Sequence, residues 1–372
     1  MQKKIIALAI AGLASTAAFA QTNVTIYGIA DAYVAQTRGN GLLTSTGVGS
    51  GGLSTSRIGF KGVEDLGNGL KAIFALEYRL NIDGNYGIGG DQTNGSTSAS
   101  GPARQQYVGL TGGFGTAVAG RLQTTAFDWQ VKYLTLGATA FDVHNAMTKT
   151  GFRINLTNDS RASNAVAYIS PSMGGVTVAL NHTFAAEQQS AVTASNTSAT
   201  MVGVYYDNGP LSVGFVGEKL QSGGTAELTE RTDLALGASY DFKVVKLTGA
   251  YQTTKDNGTN NTAASCSAGK TDSVWSLGAQ VPVSAKGAVH VLYAQSNYKS
   301  NTAALHAADN SGKGLSVAYT HALSKRTTAY AGIGYLDNAG TSAVSNTYSL
   351  GGTVQQPGGS SNVIAAGVRH SF

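Results

Sequence analysis

Apolar and polar residues alternate along most of this chain, and that period of two limits what it can fold into. Val24, Ile26, Gly28, Ala30, Ala32 and Val34 take every second place against Thr25, Tyr27, Ile29, Asp31 and Tyr33. Leu70, Ala72, Phe74, Leu76 and Tyr78 alternate in the same way with Lys71, Ile73, Ala75, Glu77 and Arg79. Successive side chains of a strand point to opposite faces, so each segment has one apolar face and one mostly polar face. Sixteen such segments are predicted, at 23–36, 54–64, 69–82, 103–112, 115–123, 161–170, 174–184, 200–207, 210–219, 231–241, 245–254, 272–281, 287–297, 313–321, 326–337 and 361–372. No stretch after residue 20 keeps a convincing helical period, although 122–160 has room for a short helix.

The connections alternate as well. Short ones, such as Asp65-Leu66-Gly67-Asn68, Gly112-Gly113-Phe114, Asn208-Gly209 and Ala322-Leu323-Ser324-Lys325, are interleaved with long ones at 37–53, 83–102, 124–160, 185–199, 220–230, 255–271, 298–312 and 338–360. Membrane barrels have short turns on the periplasmic side and long loops outside, and an even strand number lets them close. The expected fold is all-β: a sixteen-stranded antiparallel transmembrane β-barrel with short periplasmic turns and long external loops. A barrel of that size encloses water. A soluble sandwich would need one thick core, and a propeller would show a blade-length repeat that is absent here.

Both ends fit this picture. The segment 361–372 alternates to its last residue, with Ile364, Ala366, Val368 and Phe372 on one face and Ala365, Gly367, Arg369 and Ser371 on the other. Pairing of that strand with the first leaves no edge in the hydrocarbon layer. At the other end, Lys3 and Lys4 precede an apolar run from Ile5 to Ala14, and Ala18-Phe19-Ala20 fits a cleavage site. Residues 1–20 are therefore expected to be a cleaved signal peptide, and 21–372 a single barrel domain. The run is too short to span a bilayer, and no later run approaches the ~18 residues a membrane helix needs.

Composition narrows the function. Charged residues are 12% of the 372 and glycine supplies 49. The formal net charge of +5 includes Lys3 and Lys4, no basic run exceeds two residues, and export leads away from nucleic acid, so no nucleic-acid partner is expected. Cys266 is the single cysteine, so there is no internal disulfide. The six histidines lack metal-ligand spacing, and no G-x-S-x-G elbow occurs. Gly47-Val48-Gly49-Ser50-Gly51-Gly52 matches a dinucleotide fingerprint, but it precedes a strand and no helix follows. Neither an enzyme nor a cofactor or metal is expected.

The residues expected to carry function are charges on the polar faces. Arg57 and Lys61 share one face of the second segment, and Lys71, Glu77 and Arg79 share one face of the third. A lipid-facing charge costs about 2–4 kcal/mol at the bilayer midplane, which turns such residues toward the lumen or the rim. Arg121 is ambiguous, because it has the parity of Ala117 and Ala119, which look outward; only a bulge would bring it in. The long connection 124–160 is expected to fold into the pore, with Phe127, Trp129, Tyr133 and Phe141 packing against the wall and Asp128 and Asp142 among its few acids. Arg57, Lys61, Lys71, Glu77, Arg79, Arg121, Asp128 and Asp142 are thus the predicted pore-lining or constriction residues. Arg and Lys rings favour anions.

The chain resembles the general-diffusion porins of Gram-negative bacteria, of the beta-proteobacterial type. The likeness rests on Val24-Thr25-Ile26-Tyr27-Gly28, on the run from Ser56 to Ala72, on Tyr107-Val108-Gly109-Leu110 with Phe114-Gly115 and Gly120-Arg121, on Leu323-Ser324-Lys325-Arg326-Thr327, and on Arg369-His370-Ser371-Phe372. The third loop lacks the acidic cluster such a constriction would have. The resemblance implies a homotrimer of barrels in outer-membrane lipid and lipopolysaccharide. It also implies passive diffusion of small hydrophilic solutes and ions, and a Phe372 that the outer-membrane assembly machinery reads. A substrate-specific channel is the near alternative, and an adhesin or enzyme the distant one.

Overall fold

The computed structural model describes residues 23–39, 44–84, 103–147, 160–184, 196–223, 228–256, 271–297, 312–338 and 359–372. The expected signal peptide, Cys266 and the remainder of the long connection up to 159 lie outside these residues. The strands are β1 (Asn23–Gly39), β2 (Ser45–Ser50), β3 (Arg57–Gly67), β4 (Leu70–Arg79), β5 (Ala103–Gly112), β6 (Gly115–Gln123), β7 (Arg161–Ile169), β8 (Val176–Thr183) and β9 (Asn196–Asn208). They continue as β10 (Leu211–Gly223), β11 (Leu228–Asp241), β12 (Lys246–Asp256), β13 (Thr271–Pro282), β14 (Gly287–Asn297), β15 (Gly312–Ala322), β16 (Thr327–Asn338) and β17 (Ser360–Ser371).

β1 pairs antiparallel with both β2 and β3, each strand from β3 to β16 pairs antiparallel with the next, and β17 pairs with β1 from Ile29↔Ser371 to Gly39↔Ser361, which closes the sheet. Closure is the physical answer to a hydrocarbon solvent, because it leaves no unpaired backbone edge. The ring has sixteen strands, because β2 and β3 lie end to end along β1 and together make one of them. Among the described residues no helix is long and apolar enough to cross a membrane.

The second strand departs from expectation. The segment 37–53 was expected to be a loop, yet Ser45–Ser50 is paired strand, and the wall breaks instead at 51–56. Asp31 of β1 explains the break. Its Oδ2 accepts hydrogen bonds from the backbone N–H groups of Leu53 and Ser54, both at 2.8 Å. Its own N–H donates to Ser56 Oγ at 3.0 Å. Gly51 takes φ +89° to begin the turn. A carboxylate at 0% exposure has to be saturated by donors, and a turn of bare N–H groups supplies them.

Two helices follow β6: α1 (Thr125–Tyr133) and α2 (Val143–Ala146). Thr124 caps α1, accepting from Phe127 N at 3.2 Å, and Asp142 caps α2, accepting from Asn145 N at 2.9 Å. α1 touches β8 to β12 and α2 touches β13 to β16. One segment can reach both sets of strands only from inside the ring. The face it touches is therefore the inner one, and the alternating residues Val202, Val204, Leu234, Leu236 and Leu277 form the outer one.

Packing is close because the inner wall is cut back where aromatics arrive. Tyr133 lies so near β10 and β11 that a Cβ on Gly214 or Gly237 would come within 2.4 or 2.5 Å of its side chain. Trp129, Tyr133, Phe141 and Met147 all reach 0% exposure. Each such burial is worth about 1.5–3 kcal/mol, set against the entropy of ordering the segment.

Candidate functional site

The inner face of β1 to β5 gathers charge around one carboxylate. Glu77 of β4 is 3% exposed. Arg104 Nε donates to its Oε1 at 2.6 Å, Arg57 Nη1 stands 3.8 Å from the same oxygen, and the Tyr27 hydroxyl donates to Oε2 at 3.1 Å. Arg57 also donates through Nε to the Thr55 carbonyl at 2.9 Å, so the break held by Asp31 orients this guanidinium. Arg79 pairs directly with Arg57 across β3 and β4. Arg161 of β7 lies over the Phe127 ring at 4.5 Å and within electrostatic reach of Arg57, Arg104 and Glu77. Arg369 pairs with Asp31 and completes the set from β17.

Glu77, Asp31 and Asp128 are fewer than the guanidinium groups of Arg57, Arg79, Arg104, Arg161 and Arg369, so the cluster carries surplus positive charge. Glu77 nevertheless holds it together, because Arg57 and Arg104 would otherwise repel each other at close range. Charge-assisted bonds of this length rank among the stronger ones proteins make.

Of the residues expected from sequence, Arg57, Lys61, Glu77 and Arg79 share this inner face. Lys61 is exposed, with its ammonium 5.2 Å from the Tyr27 ring centroid. Lys71 lies apart at the turn end of β4, opposite Asp65. Asp128 is an exposed residue of α1 bonded to Gln123. Asp142 is buried at 5% exposure and bonded to Ala138 N at 2.6 Å and Gln130 Nε2 at 3.0 Å, so it braces the inserted segment instead of facing open space.

Arg121 is a correction. A bulge does occur beside it: Gly120 pairs with Ala165 but Leu122 with Ala162, so β7 carries the extra residue. The alternation of β6 therefore survives, Leu122 is buried inside, and Arg121 keeps the outward parity of Ala117 and Ala119.

Arg104 was missed for the opposite reason. Glu77 pairs with Gln105 but Tyr78 with Ala103, so β5 carries an extra residue there. Such a bulge re-aims a side chain that strict alternation would send outward. No period-two reading could find it. A sequence signal existed only in the order of types, an arginine beside two glutamines at the start of a strand.

Comparison with known proteins agrees with this architecture. A family model described as Gram-negative porin matches residues 7–341. The outer membrane porin protein 32 of Delftia acidovorans is 36% identical over 388 aligned positions, covering 100% of both chains. An outer membrane porin protein of Bordetella pertussis is 32% identical over 286 positions, covering 69% of this chain and 70% of its own. Among solved structures, an anion-selective porin from Comamonas acidovorans superposes with a TM-score of 0.76 at 29% identity, over 95% of this chain and 100% of that one. With a closed sixteen-stranded ring and a relative that aligns along its whole length, this chain belongs to the Gram-negative porins, the passive diffusion channels of the bacterial outer membrane.

Proposed function

We propose that this porin prefers anions and that its selectivity is set where the inserted segment faces the guanidinium cluster. The carrying observation is the group of Arg57, Arg104 and Arg161 around the carboxylate of Glu77 on the inner wall. A hydrated anion passing there exchanges part of its water for N–H donors, while a cation meets uncompensated positive charge. Lys61, Lys71 and Arg79 extend that field along the wall, and Asp128 contributes the opposing charge of the inserted segment. The segment from 124 narrows the lumen, and its brace at Asp142 keeps the opening fixed. The anion selectivity named for the Comamonas porin supports the same reading.

Further parts of the reading rest on the family likeness. The signal peptide is removed after Ala20, the barrels assemble as homotrimers in outer-membrane lipid and lipopolysaccharide, and Phe372 is recognised by the assembly machinery. The chain is a channel without a reaction of its own. Single-channel recording in a planar bilayer under a KCl gradient tests the central proposal. A reversal potential favouring chloride in the native protein, lost when Arg57 and Arg104 are both replaced by Gln, is the expected result. A potassium preference in the native protein overturns it.

A further inference from the structure

Arg121 stands on the outer face of the barrel, where a guanidinium needs a reason to be. Its Nε donates to the Ala103 carbonyl and its Nη1 to Ser163 Oγ, both at 2.5 Å. Among the described residues no carboxylate forms an ion pair with it. A guanidinium has five N–H donors, and these two bonds fix its position while leaving others uncommitted.

Directly below it, on the same face, the wall is hollow. Ala117 and Ala119 of β6 are short, whereas Val108 on β5, Val166 on β7 and Leu180 on β8 are long. Between them lies an apolar furrow of about 810 Å³. That volume falls within the range of ordinary ligand sites. The furrow reaches His182 and Thr200, which bond to each other at 2.8 Å. Those two residues lie at the loop ends of β8 and β9, as Arg121 lies at the loop end of β6. With the short turns on the periplasmic side, this is the extracellular end. The site therefore has an apolar trough beneath and a cationic, hydroxyl-bearing head above.

We propose that this furrow binds a phosphate-bearing acyl lipid of the outer leaflet, with one chain in the trough and the phosphate on Arg121. Charge complementarity selects the occupant. Arginine pairs with phosphate through two parallel N–H···O bonds, and a neutral lipid would leave the guanidinium unmatched at the edge of the hydrocarbon. The position also suits the cost, since a lipid-facing arginine is far less costly at the interface than at the bilayer midplane. The inference rests on the outer-membrane location and is independent of the ion preference of the pore.

The test uses protein folded from the denatured state in lipid-free detergent, so that no lipid is carried over. Diphosphorylated lipid A and its dephosphorylated form are titrated separately, and bound copies are counted by native mass spectrometry. The expected result is a retained copy of the phosphorylated lipid whose affinity falls roughly tenfold in Arg121→Gln. Ala119→Phe, which fills the trough with Arg121 in place, also weakens it, and the dephosphorylated lipid is indifferent to Arg121→Gln. Ala117→Leu serves if the larger side chain prevents folding. Unchanged single-channel conductance and an unchanged heat-dependent shift in gel mobility show that each variant is intact. Equal retention in all variants means nonspecific annular lipid and overturns the proposal. So does a trough that binds both lipids alike. A change in oligomeric state without a change in lipid count overturns it too, by assigning the furrow to a second copy of the chain.

Discussion

The Tyr330 hydroxyl donates to Asp31 Oδ1 at 2.5 Å, joining β16 to β1 across 299 positions of sequence. The other oxygen of the same carboxylate holds Leu53 and Ser54. Gly52, in that turn, accepts from Ala140 N of the inserted segment at 2.7 Å. One buried carboxylate thus ties together the closing seam of the barrel, the break in its second strand and the far end of the segment inside it. Arg57 hangs from the same turn through Thr55.

Asp31→Asn should therefore disturb more than stability. The amide keeps one acceptor but turns N–H groups toward the N–H groups of Leu53 and Ser54 or toward the Tyr330 hydroxyl. Leaving buried donors unmatched costs about 1–3 kcal/mol each. The variant should melt at lower temperature by far-UV circular dichroism. It should also show noisier open-channel current, because the turn carrying Arg57 is no longer fixed. Tyr330→Phe removes one bond to a charged acceptor and should cost about 1.5–3 kcal/mol with little added noise. If Asp31→Asn recorded as quietly as the native channel, the turn would not be a support for Arg57.

Arg104 gives a sharper contrast. Arg104→Gln should reduce chloride preference measurably under a KCl gradient, whereas Gln106→Leu, two residues on, should leave it unchanged. Gln106 pairs with the outward Leu76 and with Arg121, so its face meets lipid. Equal effects from both, or none from Arg104, would refute the bulge-directed orientation. Arg104→Gln should also destabilise the barrel, since Glu77 loses its 2.6 Å partner and remains buried.

What could be read from sequence here follows the physics of each level. Strand alternation is imposed by a membrane on one side and by water or the inserted segment on the other, so the sixteen strands, their closure and the short turns were all visible as period two. The second strand was misplaced because its break depends on Asp31, a contact made by another strand. Arg104 was overlooked and Arg121 misplaced for one shared reason. A bulge shifts one strand of a pair and not its partner, and nothing local says which. Asp142 was legible as an acid in the long connection, but its burial as a cap and brace depends on Gln130 and Ala138, which only the folded segment brings together.

His144 makes the inserted segment sensitive to acid. It is 0% exposed, and its Nε2 lies 2.7 Å from Gln252 Nε2 of β12. Burial pushes the imidazole down to about 3, well below its ordinary value of 6.5. The folded segment therefore holds neutral histidine, while the released segment would bind a proton below pH 6.5. Stability is unaffected above that pH and falls as pH drops from 6.5 toward 3. At pH 5 the loss is about 2 kcal/mol. Proteolysis of the segment, or its hydrogen exchange, should accelerate between pH 7 and pH 5 in the native protein. His144→Gln should flatten that dependence, and an unflattened profile would assign the acid sensitivity to another group.

The last prediction concerns the cut-back wall. Tyr133 occupies the space that side chains on β10 and β11 would otherwise fill, with its hydroxyl 2.9 Å from Ser212 Oγ. A Cβ at Gly237 would fall 2.5 Å from the Tyr133 ring, which is closer than side-chain carbons approach. Gly237→Ala must displace the ring, and overpacking of this kind costs about 1–3 kcal/mol. The barrel ladder does not need a glycine there, because residue 237 pairs with Gly214 and Ala250 through backbone groups that alanine also has. The strain should therefore act on α1: the helix lifts from the wall, Trp129 loses its bond to the Gly214 carbonyl at 3.1 Å, and the lumen changes width while the ring stays closed. Gly237→Ala should keep native mobility on unheated gels yet alter single-channel conductance. Gly237→Ala combined with Tyr133→Ala should relieve the overlap and restore quiet, stepwise openings with a conductance at or above the native one, because the bulky side chain is gone. A Gly237→Ala channel indistinguishable from the native one would show that α1 does not set the width of the pore.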